Sequence, residues 1–315
     1  MKDKKISAVV SVYNEELSLR HFYQVTSEIL EKCAWDYEIV FVNDGSQDKS
    51  MEILTEFAQA NEKVKVVNFA RNFGHEAAMI AGIDHAGGDG IVCMDADLQH
   101  PPECVAQIIE RFEEGYEVIN MVRTKNKSAG FIKNLTSSAF YKFLNKISDV
   151  KLENNASDFF ALTANAAQVL KTNYREKVRF LRGYVQNIGF NRTTIEYEAR
   201  ARVAGESKYS IRKLFKFSIN TILCFSDLPL KLGIYSGIIV GFLGLLVMLE
   251  TIYEWAVKGT PNGYATIVVL LCFMFAMLFV IVGIIGEYIA ILFTELKDRP
   301  IYIVHDTKGF PEKES

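Results

Sequence analysis

The five cysteines of this 315-residue chain, Cys33, Cys93, Cys104, Cys224 and Cys272, stand at no metal-ligand spacing from one another. That excludes a zinc module and reads as ordinary thiols of a reducing compartment. The net charge is only −3, which argues against nucleic acid as a partner. No phosphate-binding loop and no dinucleotide glycine fingerprint occur, and His75-Glu76 is followed by no second histidine at zinc-protease spacing. The lysines at the N-terminus run straight into Ile6–Val12, too short an apolar stretch for a signal peptide, so the first part of the chain is expected in the cytoplasm. The sequons at Asn126, Asn134 and Asn191 would then go unused.

Apolar residues make up half of the chain, but they are unevenly spread. The first 205 residues alternate strand-like and helix-like segments. Ile6–Val12, Tyr37–Val42, Val64–Phe69, Gly90–Met94 and Tyr116–Arg123 read as strands. Helical patterns fill Glu16–Cys33, the stretch after Ser46 through Phe57, Glu76–His85 and Glu103–Glu114. This alternation predicts an α/β fold with a mostly parallel sheet covered on both faces. Two uncharged apolar runs follow, Leu232–Leu249 and Gly259–Gly286, each long enough for a transmembrane helix. Arg212, Lys213, Lys216 and Lys231 precede them, Lys297 and Arg299 follow, and only Lys258 lies in the connection. By the positive-inside rule both termini and the α/β part face the cytoplasm. Gly233, Gly237 and Gly241 form a small-residue ridge that suits helix–helix packing, within the chain or between subunits. Ile132–Ile147 and Ile211–Leu223 read as amphipathic helices, the second suited to the membrane interface.

Two strand ends carry the chemistry. Phe41-Val42-Asn43-Asp44-Gly45-Ser46 and Cys93-Met94-Asp95-Ala96-Asp97-Leu98-Gln99-His100-Pro101-Pro102 each pass from an apolar run to carboxylates and turn residues. Open α/β sheets bind ligands at that edge. Asp95 and Asp97, one residue apart, suit a hard cation such as Mg²⁺, which completes its shell with water and substrate phosphate. The implied ligand is a nucleotide diphosphate. Tyr13, Glu15 and Asp44, at the ends of the first two strands, can flank a base or accept hydrogen bonds from base and ribose. Asp44-Gly45 is also a common turn pair, and Arg71 is open between the donor and an internal ion pair.

Together with Val10-Ser11-Val12-Tyr13-Asn14-Glu15, Arg71-Asn72-Phe73-Gly74, Ser157-Asp158-Phe159, Gly205-Glu206-Ser207-Lys208-Tyr209 and Gly286-Glu287-Tyr288-Ile289, these motifs span nearly the whole chain. In that order the chain resembles the family 2 glycosyltransferases of the GT-A fold. Within them it is similar to membrane-bound polyprenyl-phosphate glycosyltransferases of the bactoprenol glucosyltransferase and dolichol-phosphate mannose synthase kind. Ser11 stands where the family usually has proline. The resemblance implies a cytoplasmic Rossmann-like GT-A domain over 1–208 and a juxtamembrane amphipathic helix over 209–230. Two transmembrane helices over 231–290 and a cytoplasmic tail over 291–315 complete it, in a multi-pass protein of the inner cell membrane.

The resemblance also implies roles. Mg²⁺ or Mn²⁺ would be held chiefly by Asp97, with Asp95 and Gln99 beside it. The donor nucleotide sugar, UDP-glucose in first place, would meet Ser11, Tyr13, Glu15, Asp44 and Asp95. Asp158 stands at the position of the proposed catalytic acid, and Asp97 is the other residue expected in catalysis. Because a lipid phosphate is already mostly dianionic at neutral pH, Asp158 is expected to orient the acceptor or sugar, or to take a residual proton. Arg123, Arg202 and Lys208 would line the phosphate of a polyprenyl acceptor such as undecaprenyl phosphate, with Arg182 a weaker candidate. Membrane lipid and a second copy of the chain are further expected partners. A processive polysaccharide synthase would carry Gln-x-x-Arg-Trp, but neither Trp35 nor Trp255 lies in such a motif. A transporter would need intramembrane polar residues that the two runs lack. A catalytically dead scaffold would not need the acidic motif, Asp158 and Arg202.

Overall fold

The computed structural model describes residues 3–124, 156–177, 179–199, 228–259 and 263–311. The amphipathic helices expected over 132–147 and 211–223, and most of the juxtamembrane segment 209–230, lie outside them. The chain divides into two compact units, one formed by residues 1–215 and 300–315 and the other by 216–299.

The first unit is built on one eight-stranded sheet. In chain order its elements are β1 (Lys5–Val12), α1 (Leu19–Lys32), β2 (Asp36–Asn43), α2 (Ser50–Ala60), β3 (Val64–Phe69), α3 (His75–His85), β4 (Gly90–Asp95), α4 (Cys104–Glu113) and β5 (Val118–Arg123). Then come β6 (Ala156–Thr163), α5 (Ala164–Asn173), α6 (Leu181–Asn187) and β7 (Arg192–Tyr197). The strand order is β7-β5-β6-β4-β1-β2-β3, closed at the far edge by β8 (Val304–Lys308). β1 to β4 run parallel, whereas β6 is antiparallel to β4 and β8 to β3.

The parallel strands are near-continuous apolar runs because both of their faces are covered. Val9, Val10, Val40, Phe41, Val92 and Met94 are wholly buried. Helix α3 is buried from Ala77 to Ile83, as a helical stretch apolar all round must be. Its Gly82 lets the helix backbone approach β1, where a Cβ would collide with Val9. A buried charge is matched at the opposite end of the sheet from the acidic turn: Glu38 accepts from Lys5 Nζ, Lys65 Nζ, Ser7 Oγ and the Gly87 N–H. Burial alone would raise its pKa, but these donors hold it down at about 2.

The second unit holds two long helices, α7 (Leu228–Lys258) and α8 (Tyr264–Leu296). With 31 and 33 residues they reach about 45–50 Å at about 1.5 Å per residue, beyond the ~30 Å of a bilayer core. Both are apolar enough to cross a membrane, and none of either span is buried. Of the glycine ridge, Gly233 faces Ile281 of α8, and nothing approaches Gly237 or Gly241 among the described residues.

The stretch 291–315, expected as a tail, starts inside α8 and then returns to the first unit as β8. Ile301 is buried, Tyr302 stacks on Phe69 with ring centroids 5.2 Å apart, and its hydroxyl donates to Asp84 at 2.7 Å. Those contacts anchor the segment, and β8 covers the otherwise open edge of β3.

Candidate active site

The acidic turn sits where β4 ends, and the protein fixes it at several points. Leu98 has a φ of +60°, a conformation that costs an L-residue about 1–3 kcal/mol and persists only where the surroundings impose it. Here Leu98 is buried, the Gln99 N–H donates to Asp97 Oδ1 at 3.0 Å, and the Asp95 N–H donates to His100 Nδ1 at 3.0 Å. His100 is buried and stacked on Phe159 with centroids 5.0 Å apart. Burial lowers its pKa against the pull of Asp95 and Asp158. Because Nδ1 accepts a hydrogen bond, the ring is neutral, and its 3.7 Å approach to Asp95 Oδ2 is no ion pair.

Strand register builds the rest. Ser11 pairs with Asp95 across β1 and β4. Cys93 pairs with Phe160 across β4 and β6, so two residues further on Asp95 comes level with Asp158. Ser11, Asp95 and Asp158 thus form one row across three strands. His75, the first residue of α3, stands over that row. Its Nδ1 lies 2.7 Å from Ser11 Oγ, and its Nε2 lies 3.6 Å from Asp95 Oδ1 and 3.7 Å from Asp158 Oδ2. Burial opposes a charge on His75, but the carboxylates of Asp95 and Asp158 outweigh it and raise the pKa.

Asp158 is not a free carboxylate. Arg182, on α6, grips both of its oxygens through Nε and Nη2. Burial would raise the Asp158 pKa, but the guanidinium holds it well below the usual carboxylate range. Glu76 lies next to this pair and accepts from the Leu181 N–H at 3.2 Å. Its pKa is pushed up to about 7, first by burial and then by the charge on Asp158.

Beside the row, a cavity of about 460 Å³ opens at the ends of β1, β2 and β3, lined among others by Tyr13, Asn43, Asn68, Arg71, Asn72 and His305. Tyr13 is exposed at its wall. Glu15 accepts from Ser18 Oγ at 2.9 Å while its N–H donates to Ser50 Oγ at 2.9 Å. Asp44 is engaged within the protein. It is buried, and its oxygens accept from Asn72 Nδ2 at 2.9 Å, the Phe73 N–H at 2.6 Å and the Gly74 N–H at 3.0 Å. The sequence pattern offers this carboxylate both to the donor and to the turn; in the structure its oxygens hold the turn into α3. Gly45 serves the same packing, with φ at +68° and a would-be Cβ only 2.6 Å from the Arg71 backbone.

Arg123 closes β5, and its Nε is buried without a hydrogen-bond partner among the described residues. Arg202 and Lys208 lie outside the described residues. His75, His100 and Glu76 carry no role in the sequence pattern, although His100 stands inside the acidic motif. Arg182 is expected on the acceptor side, whereas the structure pairs it with Asp158.

Asp95 and Asp97 offer hard oxygen donors from one turn. Among the described residues no group of three or more His, Cys, Asp and Glu could hold a metal ion. Such a donor set fits Mg²⁺ or Mn²⁺ that takes the remainder of its shell from a diphosphate and water.

Residues 7–168 match the family described as glycosyl transferase family 2. The uncharacterized glycosyltransferase YkcC of Bacillus subtilis is 41% identical over 308 residues, which cover 98% of this chain and 95% of that protein. The SfII prophage-derived bactoprenol glucosyl transferase of Shigella flexneri is 36% identical over 301 residues, covering 95% and 97%.

Proposed function

The chain belongs to glycosyl transferase family 2, and from that premise we propose that it transfers a sugar, glucose in first place, from a nucleotide sugar to a polyprenyl phosphate such as undecaprenyl phosphate. The observation that carries the reading is the joining, in one chain, of the carboxylate row on β4 and β6 to two membrane-length apolar helices. A bactoprenol glucosyl transferase among its near full-length relatives supports the same acceptor.

In this reading the nucleotide lies in the cavity beside Tyr13, and its diphosphate reaches the turn of Asp95 and Asp97. A bound Mg²⁺ or Mn²⁺ supplies charge neutralisation to the departing diphosphate. Asp97 and Asp95 would hold that cation, with Gln99 beside them, and the fixed turn spares them reorganisation. A phosphate oxygen of the lipid attacks the anomeric carbon as the bond from that carbon to the diphosphate oxygen breaks. The configuration inverts, giving a β-linked lipid-phosphate sugar from an α-linked donor, and the nucleoside diphosphate leaves. A lipid monophosphate has its second pKa near ~6, so it arrives mostly as the dianion and needs no base. The pairing of Asp158 with Arg182 supports an orienting role for Asp158. Arg123, with Arg202 and Lys208, offsets the charge of the incoming phosphate.

Residues on both sides of the helix pair belong to the first unit. An even number of crossings returns the chain to the side from which it left. With the positive charges flanking the pair, this supports a catalytic domain and termini on the cytoplasmic face of the inner membrane, over the domain boundaries given above as revised by β8.

The test is to incubate membranes containing the protein with undecaprenyl phosphate and UDP-glucose, UDP-galactose or UDP-GlcNAc, and to weigh the lipid product by mass spectrometry. A hexose adduct from UDP-glucose alone is expected. Preference for the N-acetylhexosamine would overturn the sugar, and no lipid adduct from any donor would overturn the reaction.

A further inference from the structure

The edge strand β8 carries a residue to the donor cavity from well beyond the family match, which ends at 168. The cavity is lined by His305 together with Tyr13, Asn43 and Asn72. A ladder of side chains leads to it. Val12, Asn43, Asn68 and Asp306 are neighbours in register across β1, β2, β3 and β8. The Ser46 N–H donates to Asn43 Oδ1 at 3.2 Å, Asn43 Nδ2 to Asn68 Oδ1 at 2.8 Å, and Asn68 Nδ2 to Asp306 Oδ1 at 2.6 Å. The ladder fixes the Asp306 carboxylate, and that oxygen lies 2.8 Å from His305 Nδ1. Lys308 Nζ stands 3.5 Å from the other oxygen.

A carboxylate can only accept, so the hydrogen of the ring sits on Nδ1. In the neutral imidazole Nε2 is then an acceptor. The ring is oriented by Asp306 yet 70% exposed at the side chain, open to a ligand. An acceptor at the wall of a nucleotide cavity distinguishes bases. Uracil carries an imide N–H where cytosine carries a bare ring nitrogen. We infer that His305 is a specificity residue for the donor, its Nε2 accepting the imide N–H of a uracil base, with Asn43, Asn68 and Asp306 as the positioning residues behind it. The inference rests on the reading of this cavity as the donor-nucleotide site. It also gives β8 a part in substrate choice, since the strand that returns from the apolar helix pair completes the base end of the site.

The full-length protein in detergent, titrated calorimetrically with UDP and with CDP in the presence of Mn²⁺, tests it through His305→Ala, His305→Gln and Tyr13→Ala, with thermal melting as the check on folding. Wild type is expected to prefer UDP. His305→Ala should weaken UDP binding by about tenfold, the effect of about 1.4 kcal/mol, and CDP binding by less than about twofold. His305→Gln, whose amide oxygen can accept the same N–H, should regain part of the UDP preference. Equal weakening of UDP and CDP in His305→Ala would overturn the inference, since a merely structural role would move both. Unchanged UDP binding in His305→Ala alongside its loss in Tyr13→Ala would overturn the inference and leave the cavity as the donor site. Unchanged binding in both variants would overturn inference and site together.

Discussion

In the sheet unit Val10, Phe41, Met94 and Phe159 are wholly buried, whereas along α7 and α8 Ile234, Phe242 and Phe279 are 60% exposed or more. Both regions are rich in apolar residues, yet they use them in opposite directions. Among the described residues of the sheet unit the only exposed large hydrophobics are Tyr13, Leu17 and Ile303. The first of them lines the proposed donor cavity. The sheet unit follows the rule of a protein folded in water, where apolar surface is driven inward. Among the described residues the two helices expose large apolar side chains along much of their length, the pattern expected of helices that meet another apolar medium. The chemistry follows the same division. The sheet unit holds the carboxylates and guanidinium groups of the site, and the helix pair is almost without charge between its ends.

The strongest way to break this comparison is to remove chemistry from the sheet unit alone. Asp97→Ala is expected to lower transfer by at least about 100-fold with melting unchanged, and chelation of divalent cations in the wild type should do the same. Full activity of the variant in EDTA would refute the cation site. Next, one substitution placed in each region should behave differently. Val10→Asp buries a carboxylate in the sheet core and is expected to unfold that unit, at a cost of several kcal/mol. Ile239→Asp on α7 should leave the sheet unit folded and cost insertion about 2.5–3.5 kcal/mol. Proteolysis of the sheet unit and carbonate extraction of membranes read the two effects separately. Equal damage to the sheet unit from both would contradict the division.

A smaller effect is expected at the Asp158–Arg182 pair. Arg182→Leu leaves a largely buried carboxylate without its partner and should destabilise the protein by about 3 kcal/mol. Asp158→Asn in the same chain should restore part of that. The folded-state pKa of Asp158 is depressed, so the pair stabilises above the unfolded carboxylate pKa of about 3.9 and its contribution fades as pH falls below that. Thermal melting between pH 7 and pH 3 should therefore drop more steeply in the wild type than in the double variant. The smallest effect concerns Glu76. Its pKa is raised from 4.5 to about 7, so the folded state holds a proton that the unfolded state releases, and stability falls as pH rises through that window. Glu76→Gln should flatten the fall, raising the melting temperature more at pH 8 than at pH 5. An equal change at both would show that Glu76 does not titrate there.

Much of this was legible in the sequence. The first four strands announce themselves as apolar runs ending in turns, and Asp95 and Asp97 stand out because carboxylates follow a buried strand. The two long helices are plain from length and lack of charge. β8 was hidden because Val304-His305-Asp306-Thr307-Lys308 is short and polar, as edge strands are, and has no alternation of its own. β6 and β7 do not stand out as strands in the sequence, nor does the register that levels Asp158 with Asp95. His75 gave no signal either: a lone histidine acquires meaning only when β1, β4 and β6 place Ser11, Asp95 and Asp158 beneath it. Asp44 is conspicuous as a carboxylate at a strand end, but that its oxygens also accept from the backbone of residues 73 and 74 shows only once the turn into α3 is folded.

The division of labour between a polar site and an apolar helix pair is tested most directly by the acceptor. Purified protein in detergent, given UDP-glucose and Mn²⁺, should be offered undecaprenyl phosphate, undecaprenol without its phosphate, and glycerol phosphate without a lipid chain. The account predicts glucosylated product from undecaprenyl phosphate alone. Comparable transfer to glycerol phosphate would contradict it, because the helix pair would then have no part in choosing the substrate.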